Sequence, residues 1–231
     1  MVKAFGDAAA RAVAGGFDMV EVIGSAGYLL CQFISPIANR RTDGYGGSFE
    51  NRLRFPREVI REVKARIGGK AALMVRIAGN DFMGAHAARD DVFAVAKMYE
   101  EEGVQALSVT GGWHESLVPQ ITGHLPAGGF AYLARDIRER AEIPVFASNR
   151  LGRPEDAEEV LRRGFADGVN MGRPLLADAE IPIKARTGRA GEIRPCISCN
   201  QECLDNVFNG LATACTVNPA CGIEREFTLD R

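Results

Sequence analysis

The chain has 231 residues, 46% of them hydrophobic, and a formal net charge of −2. That length suits one large domain or a domain with an appendage, and so small a charge gives no electrostatic case for nucleic acid or a membrane surface. No apolar run reaches the roughly 18 residues of a spanning helix, and the start Met1-Val2-Lys3-Ala4-Phe5-Gly6 lacks the apolar core of a secretory signal.

In chain order, residues 4–14 place Phe5, Ala8, Ala12 and Val13 at helical spacing, and Gly15-Gly16 ends that helix. Phe17 to Ile23 is a β-branched run that predicts a buried strand. A long polar loop, Asn39 to Gly47, follows; loops of that size in a compact domain usually carry function. Asn51 to Ile67 predicts an amphipathic helix with Leu53, Phe55, Val59, Ile60, Val63 and Ile67 on one side. Strands are then expected over 71–77, 104–109, 143–147 and 166–171. They alternate with helices over 89–102, 130–141 and 154–163, and a short helix over 182–187 closes the series. Pro154 sits at a helix start, where a missing N–H is harmless.

Alternating β/α units predict a parallel sheet covered by helices. No G-x-G-x-x-G follows the first strand, which weakens a doubly wound dinucleotide fold. Polar residues gather just past the strand ends instead: Tyr28, Arg76, His114, Asn149-Arg150 and Gly172-Arg173. Barrel active sites are built on that rim. The expected fold is therefore a partial (β/α)8 TIM barrel over residues 1–190, comprising its last five units, with a cysteine-rich segment over 191–231. Five strands do not close such a barrel, so the chain reads as an N-terminally truncated piece with exposed sheet edges, a setting for a homo-oligomer.

Four of the six cysteines, Cys196, Cys199, Cys203 and Cys215, fit C-x2-C-x3-C-x11-C. Crowded soft ligands of this kind favour an iron–sulfur cluster, with structural zinc and disulfides as alternatives. Clustered rather than dispersed cysteines point to a reducing cytoplasm. Cys31 reads as a small buried hydrophobe, and Cys221 as an alternative ligand ranked below Cys215.

Arg76, flanked by apolar residues, either pairs with a buried carboxylate or faces a ligand anion. Gly172 with Arg173 suits a phosphate, and Arg150 offers a second clamp; the competing reading for each arginine is loop bracing. Tyr28 is a candidate proton donor against a packing role, and His114 a candidate proton partner against a capping role. His86 and His124 read as solvated loop residues.

Gly16-Phe17-Asp18, Glu21, Gly27-Tyr28-Leu29-Leu30, Gln32-Phe33, and the run from Asn39 to Ser48 with Glu50-Asn51-Arg52 resemble the old yellow enzyme family of flavin barrels. The cysteine spacing narrows the resemblance to its iron–sulfur branch, that of 2,4-dienoyl-CoA reductase, 2-enoate reductase and trimethylamine dehydrogenase. Gly111-Gly112-Trp113-His114-Glu115 and Cys199-Asn200-Gln201 look most like the dienoyl-CoA reductases.

The resemblance implies FMN at the barrel mouth, with Arg76 on the flavin, Arg150 on the ribityl–phosphate region, and Gly172 and Arg173 on the phosphate. It implies Tyr28 and His114 as the proton-donating pair and Asn39, Arg40, Arg41 and Glu115 along a small enoyl or dienoyl substrate. It further implies a 4Fe-4S cluster on Cys196, Cys199, Cys203 and Cys215, fed from NAD(P)H through FAD on domains beyond this chain. Simple members hold the substrate carbonyl with side chains five and two residues before the tyrosine; here these are Ile23 and Ala26, which cannot donate. Amine oxidation and a non-catalytic remnant are the alternative readings.

Overall fold

The computed structural model describes residues 1–84, 89–121 and 123–227. His86 lies outside them. Helix α1 (Val2–Ala14) leads into strand β1 (Met19–Gly24). After β1 come a short helix α2 (Leu29–Ile34), the long α3 (Phe49–Ile67) and β2 (Ala72–Asn80). Then follow α4 (Arg89–Glu101), β3 (Ala106–Gly111), α5 (Ala131–Arg138), β4 (Val145–Ala147), α6 (Pro154–Arg162) and β5 (Gly168–Val169). Helices α7 (Arg173–Ala177), α8 (Ile181–Arg186) and α9 (Leu204–Phe208) finish the chain.

All five strands are parallel and lie side by side in sequence order, each paired with the next. This is the arc of a barrel, as the β/α alternation predicts. Successive side chains point to opposite faces. Leu73, Val75 and Ile77 of β2 are buried in the core, while Met74 and Arg76 face the concave side, where a cavity lies. Strand β3 is buried at all six positions, as a central parallel strand covered on both faces must be. The first and last strands are shorter than the apolar runs suggest, and Phe17 is 65% exposed rather than buried. Phe17 precedes β1, and β1 has only β2 beside it among the described residues.

Helix α3 shows why these boundaries form. Ser48 caps it by accepting the Asn51 N–H at 3.3 Å. Leu53, Phe55, Val59, Ile60, Val63 and Ile67 are all buried, and Gly68 ends the helix with φ of 56°, a conformation that favours glycine. The polar loop before it is ordered by its own side chains. The Asn39 amide donates to the carbonyls of Phe33 and Tyr45, both at 2.7 Å. Arg52 donates to Ile34 O and Gly47 O at 2.8 and 2.7 Å.

No helix among the described residues is long and apolar enough to cross a membrane. The expected 4Fe-4S-binding segment over 191–231 is not borne out as such. Among the described residues, no three or more His, Cys, Asp or Glu side chains are placed to hold a metal ion. The described residues of that stretch, 191–227, instead place Cys196, Ser198 and Leu204 on the cavity at the C-terminal ends of the strands. Arg194 donates to Asn218 Oδ1 at 3.0 Å, and the Asn218 amide donates to Leu176 O at 2.8 Å.

Candidate active site at the strand ends

A cavity of about 570 Å³ opens at the C-terminal ends of the strands, a size ordinary for a cofactor or small ligand. Its floor is polar. Asn170 donates to Ser108 Oγ at 2.9 Å and to Ser148 Oγ at 3.1 Å, tying three adjacent loops and strands together. Met19, Met74, Phe146 and Met171 supply flat apolar wall. Among the described residues, three arginines, Arg76, Arg150 and Arg173, line it against one carboxylate, Glu21.

Arg76 pairs with a carboxylate, as one of its two expected roles has it, but that carboxylate is exposed and not buried. Its Nε donates to Glu21 Oε1 at 2.9 Å, and the pair faces the cavity together. Parallel strand pairing sets Ile23 beside Arg76 and Glu21 beside Met74, so the two side chains meet on the concave face. Arg150 is fixed by its Nε donating to Leu125 O at 2.7 Å and by a bond to Ser198 Oγ. Arg173 donates to Ile121 O at 3.0 Å and to Asn200 Oδ1. Asn149, Arg150, Ser198 and Asn200 all have φ between 56° and 72°. Non-glycine residues adopt that region at a cost, and such strain gathers at functional sites.

These residues fit FMN. Fork-shaped guanidinium donors suit a phosphate dianion. A Cβ added at Gly172 or Gly152 would meet nothing within 4 Å, so both backbones face open cavity that a ligand could enter. The apolar walls suit a flat ring system.

Beside the cavity lies the proton pair. Tyr28, half exposed, places its hydroxyl 3.3 Å from His114 Nε2, the rings 5.6 Å apart at 77°. Tyr28 does not line the large cavity. It borders a neighbouring apolar groove of about 520 Å³ with Phe5, Val20, Ile23 and Leu29, and Glu21 touches both spaces. Sequence reasoning missed Gln120, which connects them: it lines the cavity and sets its amide 3.3 Å from His114 Nε2. The buried Thr110 hydroxyl donates to Gln120 Oε1 at 3.0 Å and orients that amide. Nothing in the bare sequence marks a glutamine after a proline as a site residue.

The remaining expected positions scatter. Asn39, Arg40 and Arg41 brace their loop: Arg40 donates to Ile37 O at 3.0 Å, and Arg41 pairs with Asp43. None of the three lines the cavity. Glu115 is exposed beside Gly27, whose added Cβ would lie 3.1 Å from Glu115 Oε2.

The cysteines need a correction. Cys196, Cys199, Cys203 and Cys215 do line one cleft, of about 20 Å³, with Arg173 and Thr216. They are nonetheless not arranged as a ligand shell. Cys199 Sγ shares a hydrogen bond with Thr216 Oγ1 at 3.1 Å, and Cys196 Sγ accepts the Ser198 N–H at 3.4 Å. The Thr216 hydroxyl holds the Cys199 thiol below its ordinary range, whereas burial pushes Cys203 up. All six cysteines are free; Cys31, as expected, is buried, and so is Cys221. The segment's other contacts show its role. Ser198 and Asn200 hold Arg150 and Arg173, Cys196, Ser198 and Leu204 line the cavity, and Phe208 meets His114 edge-on at 5.6 Å. The expected relay from FAD through a cluster falls with the ligand shell.

A family model described as NADH:flavin oxidoreductase / NADH oxidase matches residues 1–192. A metal reductase of Desulforamulus reducens is 47% identical over 99% of this chain and 34% of its own length. A cinnamate reductase of Clostridium sporogenes is 35% identical over 100% of this chain and 37% of its own. The solved structure of a 2-naphthoyl-CoA reductase with 2-naphthoyl-CoA superposes with a TM-score of 0.92 at 33% identity, covering 97% of this chain and 34% of that one. The chain thus spans about a third of the length of these relatives. Their names run from metal to cinnamate to a CoA thioester, so the narrowing to a dienoyl-CoA reductase is not carried, and without a ligand shell neither is the iron–sulfur branch. The broader resemblance holds: with a phosphate-suited cavity at the barrel rim and a match over most of its length, the chain belongs to the NADH:flavin oxidoreductase / NADH oxidase family.

Proposed function

We propose that the chain carries the reacting part of a flavin-dependent reductase of activated carbon–carbon double bonds, with FMN in the three-arginine cavity and Tyr28 as proton donor. The observation that carries this reading is an adjacency. The cavity lined by Arg76, Arg150 and Arg173 lies next to the Tyr28–His114 pair, and Gln120 touches both. FMN, when bound, supplies a hydride donor recharged by NAD(P)H.

The chain's own residues do the rest. Arg173 and the Gly172 backbone take the phosphate, and Arg150 the ribityl–phosphate region. Arg76, steadied by Glu21, would hold a fixed cation beside the flavin and favour negative charge there. Hydride adds only to an electron-poor carbon, so the substrate's double bond is conjugated to a carbonyl. The Tyr28 O–H gives its proton to the carbon beside the one receiving hydride, and the bond thereby gains one hydride and one proton. His114, 3.3 Å from the hydroxyl, positions the Tyr28 phenol.

Ile23 and Ala26 offer no side-chain donor to a carbonyl, which disfavours small cyclic enones. Longer substrates are held through the exposed Arg40, Arg41 and Glu115, with Asn39 setting the shape of their loop. The names of the cinnamate and 2-naphthoyl-CoA reductases support an unsaturated carbonyl substrate. In this reading residues 1–190 are the C-terminal part of the flavin barrel and 191–227 its cap, and the family match ending at 192 supports that division.

The test is to load the chain with FMN, photoreduce it without oxygen, and mix it with a 2-enoate, an enone and an enoyl thioester. Flavin reoxidation with formation of the saturated product supports the reading. Oxidised flavin that is reduced by a secondary or tertiary amine, with no reaction of reduced flavin with any unsaturated carbonyl, would replace it with amine oxidation.

A further inference from the structure

Trp113 is the chain's single tryptophan and is 6% exposed. It precedes His114, and its ring lies against Gly27, the residue before Tyr28. A Cβ added at Gly27 would sit 3.2 Å from Trp113 Cε3 and 3.4 Å from Cδ2. One indole thus separates the two loops that supply the proton pair. Its polar edge is fixed as well: the indole Nε1–H donates to Asp81 Oδ1 at 2.6 Å.

We propose that Asp81 is a positioning residue for the Tyr28–His114 pair, acting through the Trp113 indole; the inference rests on the reading of that pair given above. Asp81 directly follows β2, in a turn held by the Phe82 N–H donating to Asn80 Oδ1 at 2.8 Å, with Phe82 at φ of 52°. Two main-chain bonds join this turn to the loop after β3, from Gly112 N to Asn80 O at 2.7 Å and from Trp113 N to Asp81 O at 3.2 Å. With the indole bond they make three ties between the loops after β2 and β3. The ring's contact with Gly27 extends the linkage to the loop after β1. Gly27 has φ of 83°, so a bulkier residue there would meet both backbone strain and the ring.

Burial pushes the Asp81 carboxyl up, against the opposing indole N–H and the Cys31 thiol 3.9 Å away. A carboxyl placed in such surroundings is held by donors, not by water. The geometry assigns it the task of keeping the ring from sliding between Tyr28 and His114. A misplacement on the order of 1 Å in a reacting pair can slow a reaction about a hundredfold.

Three substitutions test this. Asp81→Leu removes the acceptor, Asp81→Asn keeps one, and Trp113→Phe keeps a ring without the N–H. Single-turnover reduction of a 2-enoate by the FMN-loaded chain is expected to slow about ten- to a hundredfold in Asp81→Leu and in Trp113→Phe. It should stay near wild type in Asp81→Asn, and the double variant should be no slower than the slower single one. FMN affinity should not change, since neither side chain lines the flavin cavity. A second readout needs neither flavin nor substrate. In chain labelled with ¹⁵N-histidine, the His114 ring signals should move in Asp81→Leu and return in Asp81→Asn.

Unmoved His114 signals, or losses that add in the double variant, would overturn the proposal. Moved signals with an unchanged turnover rate in Asp81→Leu would overturn it too. A wild-type chain that reduces no unsaturated carbonyl refutes the functional reading instead, and the histidine signals then decide the positioning claim alone.

Discussion

Replacing Arg173 with alanine isolates what the cavity recognises. Arg173 is one of three cations there, and its guanidinium is held by Ile121 O at 3.0 Å and by Asn200 Oδ1. A hydrogen bond to a charged group contributes about 1.5–3 kcal/mol, so losing it should weaken FMN binding about 10- to 100-fold. The assay is a titration followed by quenching of flavin fluorescence, run in parallel with riboflavin, which has the same ring system without the phosphate. FMN affinity should fall while riboflavin affinity stays. Arg173→Lys, which keeps the charge but not the fork, should fall between wild type and alanine. Asn200→Ala controls for the cap, since it breaks the Arg173 contact without removing the cation. Equal weakening of FMN and riboflavin in Arg173→Ala would refute the phosphate assignment.

Other perturbations test the frame around the site. Asp178 is 6% exposed, paired with Lys184 at 2.7 Å, and accepts the N–H groups of Glu180 and Arg194 at 3.0 Å. Burial acts to raise its carboxyl, but these partners outweigh it and hold it below the ordinary range. Its contribution to stability is therefore complete above the ordinary carboxylate range and is lost as pH falls through the depressed value. Asp178→Ala should cost about 3 kcal/mol at neutral pH and flatten the acid limb of a urea-melt series. Gly111→Ala would bring a Cβ within 2.4 Å of Phe130 Cδ1 and 2.8 Å of Leu133 Cδ1, and should destabilise by about 1–3 kcal/mol in the same melts. Tyr99 is fully buried and its hydroxyl has no hydrogen-bond partner among the described residues; Tyr99→Phe should be neutral or stabilising by up to about 1 kcal/mol.

The fold was legible because its signals are local. Strand-length apolar runs between helical periods dictate parallel β/α units, and the apolar stripe from Leu53 to Ile67 is the buried face of α3, while its Ser48 cap was not read. Most rim residues were legible for the same reason, since a polar side chain just after a strand must lie at its C-terminal end; Arg76 was not, because β2 runs on to Asn80 and leaves it mid-strand on the concave face. What was not legible depends on contacts between distant loops. Glu21 and Arg76 are 55 positions apart and meet because β1 and β2 pair in a register that spacing does not encode. Gln120 matters only because Thr110 turns its amide toward His114. The cysteine spacing misled because sequence proximity fixes which thiols share a cleft, not which way they point. Cys196 and Cys199 turn to Ser198 N–H and Thr216, and the segment serves the arginines through Ser198 and Asn200.

The division of labour between cavity and proton pair is tested most directly by Tyr28→Phe, measured in two separate half-reactions. Tyr28 is half exposed and lies outside the FMN cavity, so the variant should bind FMN and be reduced by NAD(P)H or light at the wild-type rate. Reoxidation of the reduced flavin by a 2-enoate, mixed anaerobically, should slow about 10²- to 10⁴-fold, the range of a lost general acid. Reoxidation at the wild-type rate would contradict the account, because the proton would then come from somewhere other than the phenol that His114 holds in place.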